Sequence, residues 1–226
     1  RKYLIILITL AIAFTSCKKE PKYIINGTIT GIENGKAYLK VREGGKWINK
    51  DSTEIKAGKF VFKGKLQLPE VRFLAIDSVN DYFLVFVENS EIFLKVNKDS
   101  MDKADVTGSA SQELYKDYLK QVTSIDEKEK VAYESYKKAK EAGNLADIKK
   151  FDSIATSYDK EKGHVMKDVT IKNPKSVVGP YLITANSWQF ELTDLESVIS
   201  SIDTSLNQSI YVVKIKERIE VLKKVQ

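Results

Sequence analysis

Two spacings of apolar residues divide the chain. Over residues 23–108, apolar side chains either alternate with polar ones or gather in short continuous runs, the patterns of half-buried and doubly covered strands. The β-rich runs 24–32 and 36–41 are separated by Glu33-Asn34-Gly35, a turn composition. A strand at 51–55 meets one at 60–64 across Lys56-Ala57-Gly58-Lys59, and Phe60 and Phe62 share a face of the second. Runs 71–76 and 82–87 are apolar almost throughout, whereas in 91–96 Ile92, Leu94 and Val96 alternate with Phe93 and Lys95. Seven or eight short strands at spacings near ten residues predict an antiparallel β-sandwich or partly open barrel.

From residue 109 the period is helical. Tyr115, Tyr118, Val122, Ile125, Ala132, Tyr136 and Ala139 recur at steps of three and four, broken once where Glu129 takes an apolar place. Gly143-Asn144 interrupts the series, and Ile148, Phe151, Ala155, Tyr158, Val165 and Val169 resume it, broken once at Lys162. This predicts an antiparallel hairpin of two amphipathic helices across residues 110–170, stopped by Asn173-Pro174. Further helices are expected within 176–226: one over 176–185, one capped by Thr193-Asp194-Leu195-Glu196, and one capped by Ser209 that runs through Tyr211, Ile215, Ile219 and Leu222. The fold class is therefore α+β, a sandwich or partly open barrel followed by a helical region over residues 109–226.

The first 22 residues follow neither pattern. Arg1 and Lys2 precede a 12-residue run, 3–14, that is apolar except for Thr9. Such a run is too short to span a bilayer, which needs about 20 apolar residues. A basic start, a short apolar middle and small residues before Cys17 describe a signal peptide over 1–16. The sequence Ala13-Phe14-Thr15-Ser16-Cys17 resembles the lipobox of bacterial lipoproteins, with Phe14 where leucine is usual. That resemblance implies lipidation of Cys17, a tether over 17–22, and a membrane as partner through the anchor. Lys18, not an aspartate, follows the cysteine, which implies the outer membrane of a Gram-negative envelope; Lys18-Lys19-Glu20-Pro21 is a short basic tether with no acidic export signal, and the periplasm-facing side is the expectation.

Composition narrows the chemistry. The formal charge of +6 falls to +4 once Arg1 and Lys2 are removed, and the most lysine-rich stretch, 112–169, balances 12 lysines with 12 acidic residues. This is a mixed, solvated helical surface, so no nucleic acid is expected as partner. One cysteine permits no intramolecular disulfide. No phosphate-binding loop, dinucleotide fingerprint or His-Glu-x-x-His occurs. The single histidine, His164, sits near a helix surface, and together with one anchored cysteine it makes neither a zinc site nor a cysteine-histidine pair. No cofactor, metal or catalytic residue is expected. The carboxylates Asp126, Glu127, Glu129, Asp159 and Glu161 lie among lysines at helix-surface spacing. Trp47, Tyr82, Trp188 and Phe190 are the candidate ligand contacts, since tyrosine and tryptophan at exposed positions stack on sugars or partner proteins. Core packing is the expected role of at least three of the four.

Several short motifs, taken in order, resemble a known family. They are Ile25-Asn26-Gly27-Thr28-Ile29-Thr30-Gly31, Asp51-Ser52-Thr53, Gly58-Lys59-Phe60-Val61-Phe62-Lys63-Gly64, Phe86-Val87-Glu88-Asn89 and Val106-Thr107-Gly108-Ser109. The series resembles the N-terminal β domain of unknown function that precedes thioredoxin-like domains in envelope lipoproteins. Lys172-Asn173-Pro174-Lys175-Ser176 and Gly179-Pro180-Tyr181-Leu182 are similar to that family's linker and late helices. The resemblance implies a thioredoxin-like domain with a Cys-x-x-Cys pair after the last helix, or supplied by a partner. Thiol-disulfide exchange proceeds by thiolate attack, and residues 1–226 offer no cysteine besides Cys17. The expected function is a lipid-anchored, non-catalytic accessory module of an envelope thiol-disulfide oxidoreductase system. The alternatives are a glycan- or peptide-binding lipoprotein and a hydrolase with a carboxylate site.

Overall fold

The structure is a computed structural model that describes residues 22–224. The signal-peptide expectation for 1–16, Cys17 and nearly all of the tether lie outside the described residues. Eight strands come first: β1 (Tyr23–Thr30), β2 (Asn34–Glu43), β3 (Lys46–Lys56), β4 (Lys59–Gly64), β5 (Glu70–Ile76), β6 (Tyr82–Val87), β7 (Glu91–Asn97) and β8 (Asp105–Thr107). Five α-helices follow: α1 (Ala110–Glu141), α2 (Leu145–Lys172), α3 (Val178–Ala185), α4 (Leu192–Ser201) and α5 (Ile210–Lys223). The α+β class and the order of the two regions are as the periodicity predicts.

The strands form one sheet in the order β6-β5-β2-β3-β4-β1-β7-β8, antiparallel except between β1 and β7. β3 and β4 are paired only at Lys56 and Lys59, beside their turn, so the sheet folds over there into a nearly closed barrel. Its interior holds Ile25, Leu39, Ile55, Phe62, Leu74, Val85, Ile92 and Leu94, all essentially inaccessible. Gly27 lies opposite Phe60, and a Cβ there would fall 2.1 Å from the Phe60 ring, so glycine is what lets this ring into the barrel. β3 begins at Lys46, ahead of the expected 51. Residues 46–50 are all exposed and carry no buried face for alternation to reveal; pairing with β2 across Gly44-Gly45 makes them a strand.

The two breaks in the helical pattern prove to be partners. Lys162 Nζ lies 2.6 Å from Glu129 and 2.9 Å from Asp126, bridging α2 to α1 with only 17% of its side chain exposed. Burial opposes the Lys162 charge, but the two carboxylates outweigh it and raise the ammonium above its ordinary value. Two departures concern caps. α4 starts after Glu191, whose N–H donates to Asp194, two residues earlier than the Thr193 cap predicts. Ser209 occupies the N-cap of α5 but its side chain makes no capping bond.

The helices attach to the barrel along its open seam. After β8, Gly108 turns with φ +86°, and a Cβ there would fall 2.0 Å from the Glu91 carbonyl oxygen, so the approach is closed to any other residue. Ser109 then caps α1, accepting from the Gln112 amide at 3.1 Å while its hydroxyl donates to the Phe86 carbonyl at 2.9 Å. The Gln112 side chain accepts from the Phe86 N–H at 2.8 Å. Glu88 accepts from the Ala110 amide and from the Ser111 hydroxyl, placing a carboxylate at the positive end of α1. Both edge groups of Phe86 on β6 are thereby satisfied by a helix instead of a strand. On the neighbouring strand, opposite Phe86, the Val71 amide of β5 donates to the Tyr211 hydroxyl of α5 at 2.7 Å. Val71 and Phe86 thus belong to a second core, shared with Tyr118, Val122, Ile183, Leu195, Val198, Val212 and Ile215.

Two outcomes follow. Tyr211→Phe leaves a buried amide without an acceptor, and urea unfolding should show a loss of about 1–3 kcal/mol. Burial raises the phenols of Tyr118, to about 12, and of Tyr181 and Tyr211. Unfolded tyrosines ionise near ~10, so the stability that these protonated groups contribute is complete below that value and lost as pH rises through their folded values. The urea midpoint should therefore fall from about pH 9 to about pH 12, with Tyr118 phenolate absorbance emerging only at about 12; a midpoint independent of pH would contradict this.

Candidate functional site

The outer face of the sheet carries an aromatic cluster assembled from three strands. Lys40 of β2 is in register with Phe73 of β5, Phe73 with Leu84 of β6, and Arg42 with Trp47 of β3. These registers bring Trp47, Phe73 and Tyr82 together, although 26 and 9 positions separate them in turn. Ring centroids lie 5.1 Å apart for Trp47 and Phe73, 4.8 Å for Trp47 and Tyr82, and 5.5 Å for Phe73 and Tyr82, at interplanar angles of 80°, 59° and 89°. Edge-to-face contacts of this kind are favourable beyond their buried area. Trp47 remains 41% and Tyr82 50% exposed.

The cluster borders a cleft of about 290 Å³, whose remaining wall is Tyr38, Lys40 and the loop bearing Asp77, Asn80 and Asp81. Partial desolvation and the Asp77 carboxylate together hold the Tyr38 phenol above its ordinary value. Lys40 Nζ lies 5.3 Å from the Tyr38 ring and the Arg42 guanidinium 5.9 Å from that of Trp47. Phe73 also lines a second cleft of about 500 Å³ between the β2–β3 turn and helices α3 and α5, with Glu43, Glu70, Thr184, Tyr211 and Lys214 in its wall. Burial raises the Glu70 carboxyl, against the opposing pull of Arg72 and Lys50.

The four sequence candidates divide. Trp47 and Tyr82 meet at this cluster. Trp188 is 68% exposed on a 3₁₀ turn (Ser187–Gln189) beside α2, in another cleft of about 500 Å³ that it shares with exposed His164. Phe190, at 4% exposure, packs in the second core and faces Gly163, and the little of it that is accessible lines the same cleft as Trp188. The expectation that at least three are core residues is corrected: Phe190 is the one buried among them. Sequence reasoning missed Phe73 and Tyr38. The run 71–76 is covered on both faces, as its apolar composition predicts, with Val71 in the second core and Leu74 and Ile76 inside the barrel; Phe73 is half-buried against the second core, and its ring meets Trp47 and Tyr82.

Of the hairpin carboxylates, Asp126 and Glu129 have a structural partner, Lys162. Among the described residues no group of three or more His, Cys, Asp or Glu is placed to hold a metal ion. No described helix is long and apolar enough to cross a membrane.

Residues 23–115 match the model of a family described as a domain of unknown function (DUF4369), which covers the whole barrel and the first turns of α1. Neither the curated proteins nor the solved structures contain a match.

The contrast between the two neighbouring aromatics is measurable by urea unfolding. Trp188→Ala should change stability by no more than about 0.5 kcal/mol, whereas Phe190→Ala, which empties part of the second core, should cost about 3–5 kcal/mol.

Proposed function

We propose that this chain is a lipid-anchored, non-catalytic accessory module of a thiol-disulfide oxidoreductase system in a Gram-negative envelope. Cys17 attaches it to the outer membrane, facing the periplasm, and the module positions a thioredoxin-like domain that follows α5 or comes from a partner. The observation that supports this reading best is the joint between barrel and helices. Tyr211 on the last helix accepts from Val71 of the barrel, and the Ser109, Gln112 and Glu88 contacts hold the first helix to the same structure. A domain joined after α5 would be presented in a fixed direction from the barrel, not on a loose linker. The motif series in the sequence supplies the redox association, and the single cysteine, spent on the anchor, leaves the exchange chemistry to thiols outside these residues.

A second reading, a glycan- or peptide-binding lipoprotein, is favoured by one specific observation, the contact between exposed Trp47 and Tyr82. Reading the DNA beyond Gln226 weighs the two: a Cys-x-x-Cys continuation supports the first, and a stop codon moves weight to the second. For the anchor, labelled palmitate should enter the wild-type chain and not Cys17→Ser; incorporation that survives the substitution would sink it.

A further inference from the structure

We infer that the outer sheet face around Trp47, Phe73 and Tyr82 is a carbohydrate-binding site; this rests on the binding reading and gives it a ligand class. The three rings meet at steep angles on a surface where two of them stay 41% and 50% exposed. Clustered exposed aromatics are uncommon on a monomer's surface and mark interaction sites. Their faces suit the C–H face of a sugar ring, which is apolar, while the hydroxyls around its rim need polar partners. Asp77, Asn80 and Asp81 supply acceptors and Lys40 a donor in the same cleft.

Other ligand classes fit less well. A peptide that adds a strand needs unpaired backbone; around the cluster β2 is paired on both sides by β3 and β5, and β5 by β2 and β6, so such a peptide would be confined to the outer edge of β6, the end strand that bears Tyr82. The free edge of β3 carries Lys46, Lys50 and Glu54, charges of the kind that guard an edge against added strands. Asp77 and Asp81 oppose nucleotides, phosphates and anionic lipid headgroups by like charge. At about 290 Å³ the cleft is at the small end of ligand sites, and Phe73 joins its wall to the neighbouring cleft of about 500 Å³. Side by side, the two have room for a chain of sugars.

Trp188→Phe leaves Trp47 as the one tryptophan, and therefore as a reporter at the site. The variant is titrated with cellohexaose, laminarihexaose, maltohexaose, xylohexaose and chitohexaose, and separately with tryptic peptides of casein. The expected result is a saturable change in Trp47 emission with at least one hexasaccharide, weakened ~10-fold or more by Tyr82→Ala, a variant that still unfolds in urea in a single cooperative transition. A sugar response that Tyr82→Ala leaves intact overturns the site. Saturable binding of the peptides with none of the sugars overturns the carbohydrate class and leaves the binding reading standing. Silence toward both up to ~10 mM, a level weaker than ordinary specific affinities, removes both.

Discussion

The structure depends on how an incomplete barrel is finished without another strand. β6 and β8 end the sheet, and an exposed edge would leave backbone groups unpaired and open to association. Here the first turn of α1 takes the place of the missing strand. Ser109 and Gln112 bond both edge groups of Phe86, Lys116 reaches the Val106 carbonyl on β8, and Glu88 returns the favour by capping the helix. Helix capping and barrel closure are thus one set of interactions, and losing Ser109 or Gln112 strands a buried backbone group of Phe86. The second core forms because this contact holds the helices against β5 and β6.

This closure explains much of the motif series in physical terms. Phe86 and Glu88 are the seam, and Asn89 clamps the β4–β5 loop by bonding both the amide and the carbonyl of Leu66. Gly108 and Ser109 turn the chain from β8 into the cap, Gly27 makes space for Phe60, and Asn26 bonds Glu91 across β1 and β7. The matched region, residues 23–115, ends just after the closing turn. What these motifs specify is a way of closing a barrel.

Local periodicity made most of this architecture legible. Strands with one buried face, such as β7, and helices with an apolar stripe announce themselves, because each residue's burial is fixed by its own element. Lys162 and Glu129 were visible as faults in that stripe, but that they compensate each other follows only from the packing of α1 on α2. The first half of β3 was silent because both its faces are wet. The candidate site was half legible. Trp47 and Tyr82 stand out by residue type, whereas Phe73, half-buried against the second core, joins them only through strand register, and Phe190 is buried by long-range packing that local spacing does not show.

A closed seam makes barrel and helices one cooperative unit, and this underlies both functional readings, since a fixed joint orients an attached domain and holds the cleft beside α3 and α5 in shape. The most direct measurement is urea unfolding of Trp188→Phe followed by two signals from the same sample. Trp47 emission reports the barrel, and far-ultraviolet circular dichroism is dominated by the helices. The predicted result is a single transition with superimposable curves. Helical signal lost at lower urea while Trp47 emission stays native would contradict it, showing that the barrel stands without the helix that closes it.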